Sequence, residues 1–380
     1  RVFPRFDSAG YTGLGNTADI PLSNIANMFS TRGSLSLLRG RHSLKTGFEW
    51  QVRQVNHSQA GNTGVYNFGA GFTQGPDPLR ASATSGNGFA SLLLGTPQGG
   101  SLGTVPFIST QNHNFGFFLQ DDVRLSSKLT VNLGVRYELE LPRHERYDRQ
   151  NYWDLTTENP LAKPTGLPLR GGLQFTGVKG NPRSPYDTDT NNVSPRVGFA
   201  YQAGKQTVIR GGYGLFFGIA PLAAAGIAGG NVAGYSASTN IVSSLDGVTP
   251  YQMLDNPFAD GFVRATGSAD GLLTQVGQSI GSVLRGISTP YYQQWNFGIQ
   301  RQLPGNLLLE AAYAGSRGVH LQVINYNYNQ LSNELLAQGN RLNDLVDNPF
   351  YSLIATGTLA QARVQRKQLL RPYPQFTGGG

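Results

Sequence analysis

The stretch that decides the fold is Thr130–Leu141, TVNLGVRYELEL. One parity of this segment carries only Val, Leu and Tyr, whereas the other carries Thr, Asn, Gly, Arg and Glu. Successive side chains of a strand point to opposite faces, so the segment predicts a strand with one apolar and one polar face. Its length exceeds the usual ~5–6 residues and matches the ~9–11 with which a tilted strand crosses a bilayer.

The same alternation recurs in four predicted hairpins, and long turn-rich segments separate them. The hairpins lie near 34–55, 114–141, 193–218 and 291–316, and the long loops are 145–192, 219–289 and 317–380. Tight turns at one end and long loops at the other are typical of outer-membrane barrels. The fold prediction is therefore all-β: an antiparallel transmembrane β-barrel, with about 9–12 strands in residues 1–380 as one barrel section and long extracellular loops.

Local structure is also expected inside the long connections. Leu331–Leu345 is compatible with a helix, and Asn87–Leu94 with one helical turn or a short strand.

Composition excludes several other classes. The chain has 380 residues, of which 39% are hydrophobic and 14% charged, and it lacks a run of 18 apolar residues. Cysteine is absent, which removes disulfides and thiolate metal sites. The net charge is +8, but the basic residues are scattered, so nucleic acid is not an expected partner. The first four residues, RVFP, open without an apolar signal segment, so we expect a mature chain or a piece of a longer protein.

Strand parity assigns side chains to the two environments of a barrel wall. Arg136, Glu138 and Glu140 are expected to neighbour Asp122 and Arg124 on the adjacent strand as a charged ladder, whose role is either functional or purely structural. The predicted lumen-facing polar wall is Asp122, Arg124, Arg136, Glu138, Glu140, Arg196, Arg210, Gln294, Gln300, Glu310, Lys45, Glu49 and Arg53. The predicted lipid-facing residues are Phe115, Phe117, Leu119, Leu133, Val135, Tyr137, Phe199, Tyr213, Trp295 and Phe297.

Nothing in the sequence points to catalysis, a cofactor or a metal. The five histidines form no HxxxH or HExxH pair. Asp121 and Asp122 are adjacent in a strand and point to opposite faces, so we expect Asp122 to pair with a lumen arginine and Asp121 to lie near the membrane interface. A serine hydrolase using Ser288 or Ser316 is the weaker alternative.

The long loops carry the candidate ligand-contact residues. Tyrosine combines a stacking surface with a polar tip and so suits glycan or peptide contacts, although ordinary loop composition explains these residues equally well. The candidates are Tyr152, Trp153, Tyr186, Tyr235, Tyr251, Tyr326 and Tyr328.

Several blocks resemble one known family, the TonB-dependent outer-membrane receptors. The Asn114–Tyr137 block, NFGFFLQDDVRLSSKLTVNLGVRY, is similar to a conserved barrel block of these receptors, with Val123 where an aromatic is usual. The blocks Asn192–Gly218 (NVSPRVGFAYQAGKQTVIRGGYGLFFG) and Tyr292–Gly318 (YQQWNFGIQRQLPGNLLLEAAYAGSRG) resemble the Oar-like branch. HSLKTGFE at His42–Glu49 and RPYP at Arg371–Pro374 match further elements of that branch in the same order.

The resemblance implies a section of a larger barrel of about 22 strands in the bacterial outer membrane. It implies as partners outer-membrane lipid, a large ligand, and the TonB, ExbB and ExbD machinery acting through a plug that we do not find in this sequence. Ligand choice is expected to reside in the loops 145–192 and 219–289. A glycan, a polypeptide and a metal chelate all remain open, with the scarcity of histidine favouring the first two, and import and export are both possible. The alternative class is a soluble or surface-attached extracellular β-rich adhesion or structural protein.

Overall fold

The computed structural model describes residues 3–16, 22–59, 64–77, 80, 82–218, 232–323, 326–355 and 357–379. Its strands are β1 Arg5–Ser8, β2 Leu22–Arg39, β3 His42–Gln59, β4 Val65–Phe68, β5 Gly99–Thr104, β6 Ile108–Arg124, β7 Leu129–Glu140, β8 His144–Glu145, β9 Asn151–Glu158, β10 Arg170–Phe175, β11 Val193–Gly204, β12 Thr207–Phe217, β13 Ala237–Asn240, β14 Ser279–Ile280, β15 Tyr291–Leu303, β16 Leu307–Val319, β17 Leu345–Asp347, β18 Arg363–Gln365 and β19 Gly378–Gly379.

Helices are short by comparison. They are α1 Gly88–Leu93, α2 Ala162–Thr165, α3 Asn333–Leu336 and α4 Arg366–Leu369, with 3-10 turns at Gly71–Thr73, Gly271–Leu273, Gly339–Asn343 and Thr358–Ala360. Within the described ranges, no helix is long and apolar enough to cross a membrane. Strand makes up 45% and helix 9%, which confirms the all-β class.

One antiparallel sheet organises the molecule. Its strand order is β16-β15-β12-β11-β7-β6-β3-β2, with β8 paired to β6, which makes nine strands in the part of the chain that the structure describes. The eight long strands run 11 to 18 residues and follow one another in chain order, so each pairs with its sequence neighbours. The sheet is open, with β2 and β16 at its two edges.

The tight turns all lie at one end of this sheet. They join β2 to β3, β6 to β7, β11 to β12 and β15 to β16, and Gly40 and Gly305 adopt positive φ values of 59° and 79° in the first and last of them. The first hairpin begins at Leu22, twelve residues before the predicted start near 34, and extends to Gln59. Asn27 and Thr31 share the face of the apolar parity, which hides the alternation in β2.

The strand register places all ten predicted lipid-facing residues on one face, which we call the apolar face. Phe117 lies opposite Tyr137, Val135 opposite Pro195, and Phe297 opposite Tyr313. These side chains are not covered: Phe117, Leu133 and Phe297 are 50%, 49% and 48% exposed. A continuous exposed apolar surface of this kind marks a site of contact with a membrane or another protein.

The long connections between the hairpins contain secondary structure of their own. The connection after β7 contains β9 and β10, and the last one contains β17, β18 and α4. The segment Asn87–Leu94 forms helix α1, because the Asn87 side chain accepts hydrogen bonds from two backbone N–H groups of its first turn. The expected helix over Leu331–Leu345 breaks into α3 and a 3-10 turn at Gly339, whose φ is +55°. Residues 219–231, part of the predicted loop 219–289, lie outside the described residues.

Three of these connections share a hydrophobic core at the long-loop end of the sheet. We call the assembly of residues 141–192, 232–290, 326–355 and 357–379 the loop unit. One cluster packs Leu161 and Leu169 against Phe350 and Leu359. A second packs Trp153 and Phe175 against Ile280 and Phe376, all at most 2% exposed. A further cluster joins Phe6 near the N-terminus to Tyr66, Phe68 and Ile241.

Candidate functional site

The second face of the sheet, which we call the polar face, carries the thirteen residues predicted as the polar wall. The register brings only some of them together. Glu49 of β3 lies opposite Gly116 of β6, and Gly116 lies opposite Glu138 of β7. On β15 and β16, Gln300 lies opposite Glu310, in a separate region of the face.

Arg136 is the centre of a charge network on this face. Its Nε donates to Glu138 Oε1 at 2.7 Å, and its Nη2 donates to Glu49 Oε2 at 3.2 Å. Glu49 also accepts from Arg32 at 3.3 Å and from Gln51 at 2.7 Å. These side chains are mostly covered, at 22–32% exposure for Glu49, Arg136 and Glu138. The network therefore links three strands, β2, β3 and β7, through charge-assisted hydrogen bonds that pass over β6.

A glycine makes the long reach of Arg136 possible. Gly116 lies on the strand between Arg136 and Glu49, and a Cβ there would overlap the Arg136 guanidinium. The absence of a side chain lets Arg136 cross β6 to the carboxylate on β3. The sequence shows a glycine at position 116 but does not reveal that the Arg136 side chain passes over it.

The predicted charged ladder, in which Arg136, Glu138 and Glu140 neighbour Asp122 and Arg124, is wrong. The hairpin register puts Asn132 opposite Asp122 and Thr130 opposite Arg124, because residues near a tight turn can only face residues equally near it. Arg136 instead faces Phe118, and its ion pairs run across β6 to β3.

The adjacent carboxylates Asp121 and Asp122 do point to opposite faces. Asp122 accepts hydrogen bonds from Asn132 at 2.6 Å and from Gln120, and in the described part of the chain it has no ion pair with an arginine. The expected arginine partner is therefore an amide. Asp121 lies on the apolar face near the tight turns, where its Oδ2 is 2.7 Å from His42 Nδ1. Its position near the membrane interface stays a prediction.

The long-loop end of the polar face forms a pocket of about 270 Å³. Its lining includes Glu49, Arg53, Arg136, Glu138, Glu140 and Asn192. The Asn192 side-chain nitrogen donates to the Asp189 backbone carbonyl at 3.2 Å. Because a carbonyl can only accept, this bond shows which side-chain atom of Asn192 is the nitrogen and which is the oxygen. The Asn192 side-chain oxygen is buried and has no partner.

Two residues that the sequence did not single out follow β7 at the long-loop end of the sheet. Arg143 follows β7, is 4% exposed, and has its pKa lowered chiefly by burial, with nearby Arg53 contributing. His144 begins β8, and burial and the charge of Arg183 lower its pKa. Both lie just beyond the last alternating position, where strand parity no longer reports direction, so no sequence signal could have identified them.

Three of the predicted ligand-contact aromatics are instead core residues. Tyr152, Trp153 and Tyr186 are 6%, 2% and 4% exposed and pack inside the loop unit. Burial raises the pKa of Tyr186, whose hydroxyl accepts a hydrogen bond from the Arg143 backbone N–H at 3.2 Å. These side chains cannot offer surface to a ligand. They pack in clusters that join loops far apart in the sequence.

The other candidates keep accessible surface. Tyr251, Tyr326 and Tyr328 are 41%, 56% and 39% exposed, and Tyr235 is half-buried. Tyr326 and Tyr328 form an edge-on pair with ring centroids 4.8 Å apart. Buried Asn329 fixes this segment, because its amide donates to the backbone of Tyr373 and Phe376 at 2.9 Å. The segment at Asn329 is thus tied to the backbone of residues 373–376.

Among the described residues, the structure shows neither a metal-binding cluster nor a histidine in the lining of the Ser288 pocket. No group of three His, Asp or Glu side chains could hold a metal ion there. Ser288 lines a small pocket with Glu140, Tyr186 and Asp189, and no histidine contributes to that lining. Ser316 lies on β16 opposite Gln294.

Comparisons with known proteins agree with the strand pattern. The family model for the outer membrane beta barrel domain matches residues 1–379. No curated protein sequence matches the chain. Among solved structures it is similar to the copper transporter OprC, at 12% identity and TM-score 0.36, covering 78% of this chain and 30% of that one.

Two further solved structures are similar over a comparable part of the chain. The ferric-catecholate import receptor Fiu from E. coli K12 has 12% identity and TM-score 0.30, with 77% of this chain and 31% of that one covered. The ferric citrate transporter FecA has 8% identity and TM-score 0.28, with 78% and 32% covered. The chain thus spans under a third of the length of these structures.

Proposed function

The chain belongs to the outer membrane beta barrel domain family, and from this membership we propose that it is a barrel section of a TonB-dependent receptor that binds and imports a large ligand. The observation that carries the proposal is the sheet itself. Eight strands of 11 to 18 residues follow one another in antiparallel order, with one apolar and one polar face. Closed barrels of such strands are one of only two architectures that satisfy every backbone polar group in lipid.

In this proposal the apolar face contacts lipid and the polar face lines the lumen. Exposed aromatic and aliphatic side chains suit the hydrocarbon region, whereas the Arg136 network suits a hydrated interior. The tight turns then lie on the periplasmic side and the loop unit on the extracellular side, as is usual for these barrels. The barrel would be completed to about 22 strands by further strands pairing with β2 and β16, as the resemblance to the Oar-like branch implies.

Energy for uptake comes from outside this section. A barrel wall stores no usable energy, so the TonB, ExbB and ExbD machinery would act through a plug domain outside residues 1–380. The charged network around Arg136 would then contact that plug and keep the route of the ligand hydrated. Support for this step comes from the family resemblance of the sequence blocks.

The ligand would be met first by the loop unit. Its exposed Tyr326 and Tyr328 form an edge-on pair beside Asn329, whose amide is bonded to the Tyr373 backbone. Tyrosine surfaces suit an oligosaccharide or a polypeptide, the two ligand classes that we favour. Catalysis is not part of the proposal.

Membrane fractionation and an uptake assay test this function. We expect the native protein to sediment with outer membranes, to require detergent for release, and to support ligand uptake only when the TonB machinery is intact. Recovery of the folded protein in the soluble fraction without detergent would instead support the rival class, an extracellular adhesion or structural protein.

Ligand capture by the loop unit needs point substitutions rather than a loop deletion. Deleting residues 232–289 would remove Ile280 and expose Trp153, so loss of binding would follow from unfolding alone. Substituting Tyr326 by Ser removes the more exposed ring of the pair, whereas Tyr328 packs edge-on against the buried Trp153 with ring centroids 5.9 Å apart. Unchanged ligand binding by the Tyr326→Ser variant would place ligand recognition outside Tyr326.

A further inference from the structure

A row of cationic side chains follows the tight-turn end of the sheet. Each of the four tight turns has a lysine or arginine in it or within three residues of it. We call these five exposed side chains the cationic rim: Arg39 and Arg41 at the first turn, Lys128 at the second, Lys205 at the third and Arg301 at the fourth. Successive turns are two strands apart, so at ~4.8 Å per strand the row extends ~30 Å along this end of the sheet.

The charges of the cationic rim are not neutralised within the described part of the chain. No member of the rim has an ion pair within 4.0 Å there, and the ion pairs that arginines do form lie away from the tight turns. The two carboxylates beside the second turn have other partners: Asp121 binds His42, and Asp122 accepts from Asn132. The rim therefore presents five positive charges without internal counter-charges.

Two members of the rim lie on the apolar face itself. Arg39 shares that face with Leu37, which is 52% exposed, and Arg301 shares it with Ile299, which is 42% exposed. An arginine at the border of an apolar surface lays its aliphatic stem along that surface and extends its guanidinium to the adjoining polar layer. If the apolar face contacts hydrocarbon, as the proposed function has it, that polar layer is the layer of lipid headgroups.

We propose that the cationic rim binds the phosphate groups of anionic phospholipids in the leaflet that surrounds the tight turns. A guanidinium matches phosphate in charge and can donate two parallel hydrogen bonds to it. A zwitterionic headgroup carries an ammonium group as well, which the rim repels, so a headgroup with net negative charge is preferred. This inference rests on the proposed function, because it requires that the apolar face lies in a bilayer.

Electron paramagnetic resonance of spin-labelled lipids tests the preference in phosphatidylcholine bilayers that contain the folded protein. Spin-labelled phosphatidylglycerol is the anionic probe, and spin-labelled phosphatidylcholine is the zwitterionic comparison. We expect phosphatidylglycerol to be enriched at the protein surface by about threefold or more, since one basic residue beside an anionic membrane surface contributes about fivefold and the signal averages over all contact sites. At 1 M salt the Debye length is about 3 Å, so most of the enrichment should disappear.

Two pairs of substitutions at the same end of the sheet separate the faces. Arg39→Gln combined with Arg301→Gln removes two charges from the apolar face and should lower the enrichment by about half. Arg124→Gln combined with Arg210→Gln removes the same charge from the polar face, so it is the matched control and should leave the enrichment unchanged. Arg39→Lys combined with Arg301→Lys keeps the charge and should keep most of the enrichment.

Several results would overturn the cationic rim as a lipid site. They are equal association of the two spin-labelled lipids, enrichment that persists at 1 M salt, and equal effects of the two glutamine pairs. Loss of the enrichment on adding millimolar inorganic phosphate at constant ionic strength would also overturn it, because the site would then bind free anions. The lipid and salt comparisons use the unsubstituted protein, so they decide even where a variant does not fold. A protein that requires detergent but shows no lipid preference would refute the rim and leave the proposed function standing.

Discussion

An arginine placed on adjacent residues of β15 distinguishes the two faces of the sheet most directly. Phe297 lies on the apolar face, is 48% exposed, and faces Gly211 and Tyr313. Asn296 is its neighbour on the polar face, opposite the small residues Gly212 and Ala314. The two positions therefore share one depth and differ only in the face that receives the charge.

The strand geometry gives the size of the effect. Phe297 lies six residues before the end of β15 at Leu303. At ~3.3 Å per residue and a tilt of about 40°, this is ~15 Å above the tight-turn end, near the middle of an apolar band ~25 Å tall. Phe297→Arg should therefore lower the free energy of unfolding by about 2–4 kcal/mol, a roughly 30- to 900-fold change in the folding equilibrium.

Reversible urea unfolding in lipid vesicles measures this difference. We expect Asn296→Arg to stay within about 0.5 kcal/mol of the parent, because its side chain has water and small neighbours around it. Phe297→Leu controls for the loss of the ring. Equal destabilisation by Phe297→Arg and Asn296→Arg would refute the assignment of the faces to lipid and lumen.

Three other predictions follow from particular contacts. Gly116→Ala should destabilise the sheet by about 1–3 kcal/mol in urea unfolding, because its Cβ displaces the Arg136 guanidinium from Glu49. The loop unit should lose stability as the pH falls below about 6.5, the ordinary pKa of histidine. The pKa of His144 is lowered in the folded state, so protons bind preferentially to the unfolded chain. Hydrogen exchange measured as a function of pH tests this loss of stability. Trp153→Ala should cost the loop unit about 3–5 kcal/mol, seen as faster proteolysis between β9 and β10.

Each of these predictions has a matched control. Gly134 lies on the same face as Gly116, and a Cβ there would meet only ordinary contacts, the nearest at 3.7 Å. Gly134→Ala should therefore be tolerated. Equal destabilisation by Gly116→Ala and Gly134→Ala would contradict the role of Gly116. His144→Gln should flatten the pH dependence, and an unchanged pH profile would assign it to another group. Tyr326→Ala removes an exposed ring, and equal proteolysis of this variant and Trp153→Ala would argue against a shared core.

The sequence by itself determined the strands of the sheet and their two faces. A period of two carries this information locally: in Thr130–Leu141 every second residue is apolar, and the structure places those residues on one face. The tight turns were also readable, three from short segments that contain Gly and one from the polar residues Ser126, Ser127 and Lys128. The start of β2 was not, because polar Asn27 and Thr31 interrupt the apolar parity.

The tertiary structure alone decided the partners across strands and the fate of the loops. Parity says which face a side chain shares, but pairing depends on register, so Arg136 reaches Glu49 on another strand instead of the predicted Asp122. Irregular segments lack the periodic apolar pattern from which burial can be predicted. For this reason the sequence predicted Trp153 as a ligand-contact residue, although it lies in a core built from three distant loops. Arg143 is buried only in the folded chain, because the burial of a side chain depends on what surrounds it in space and not on its neighbours in the sequence.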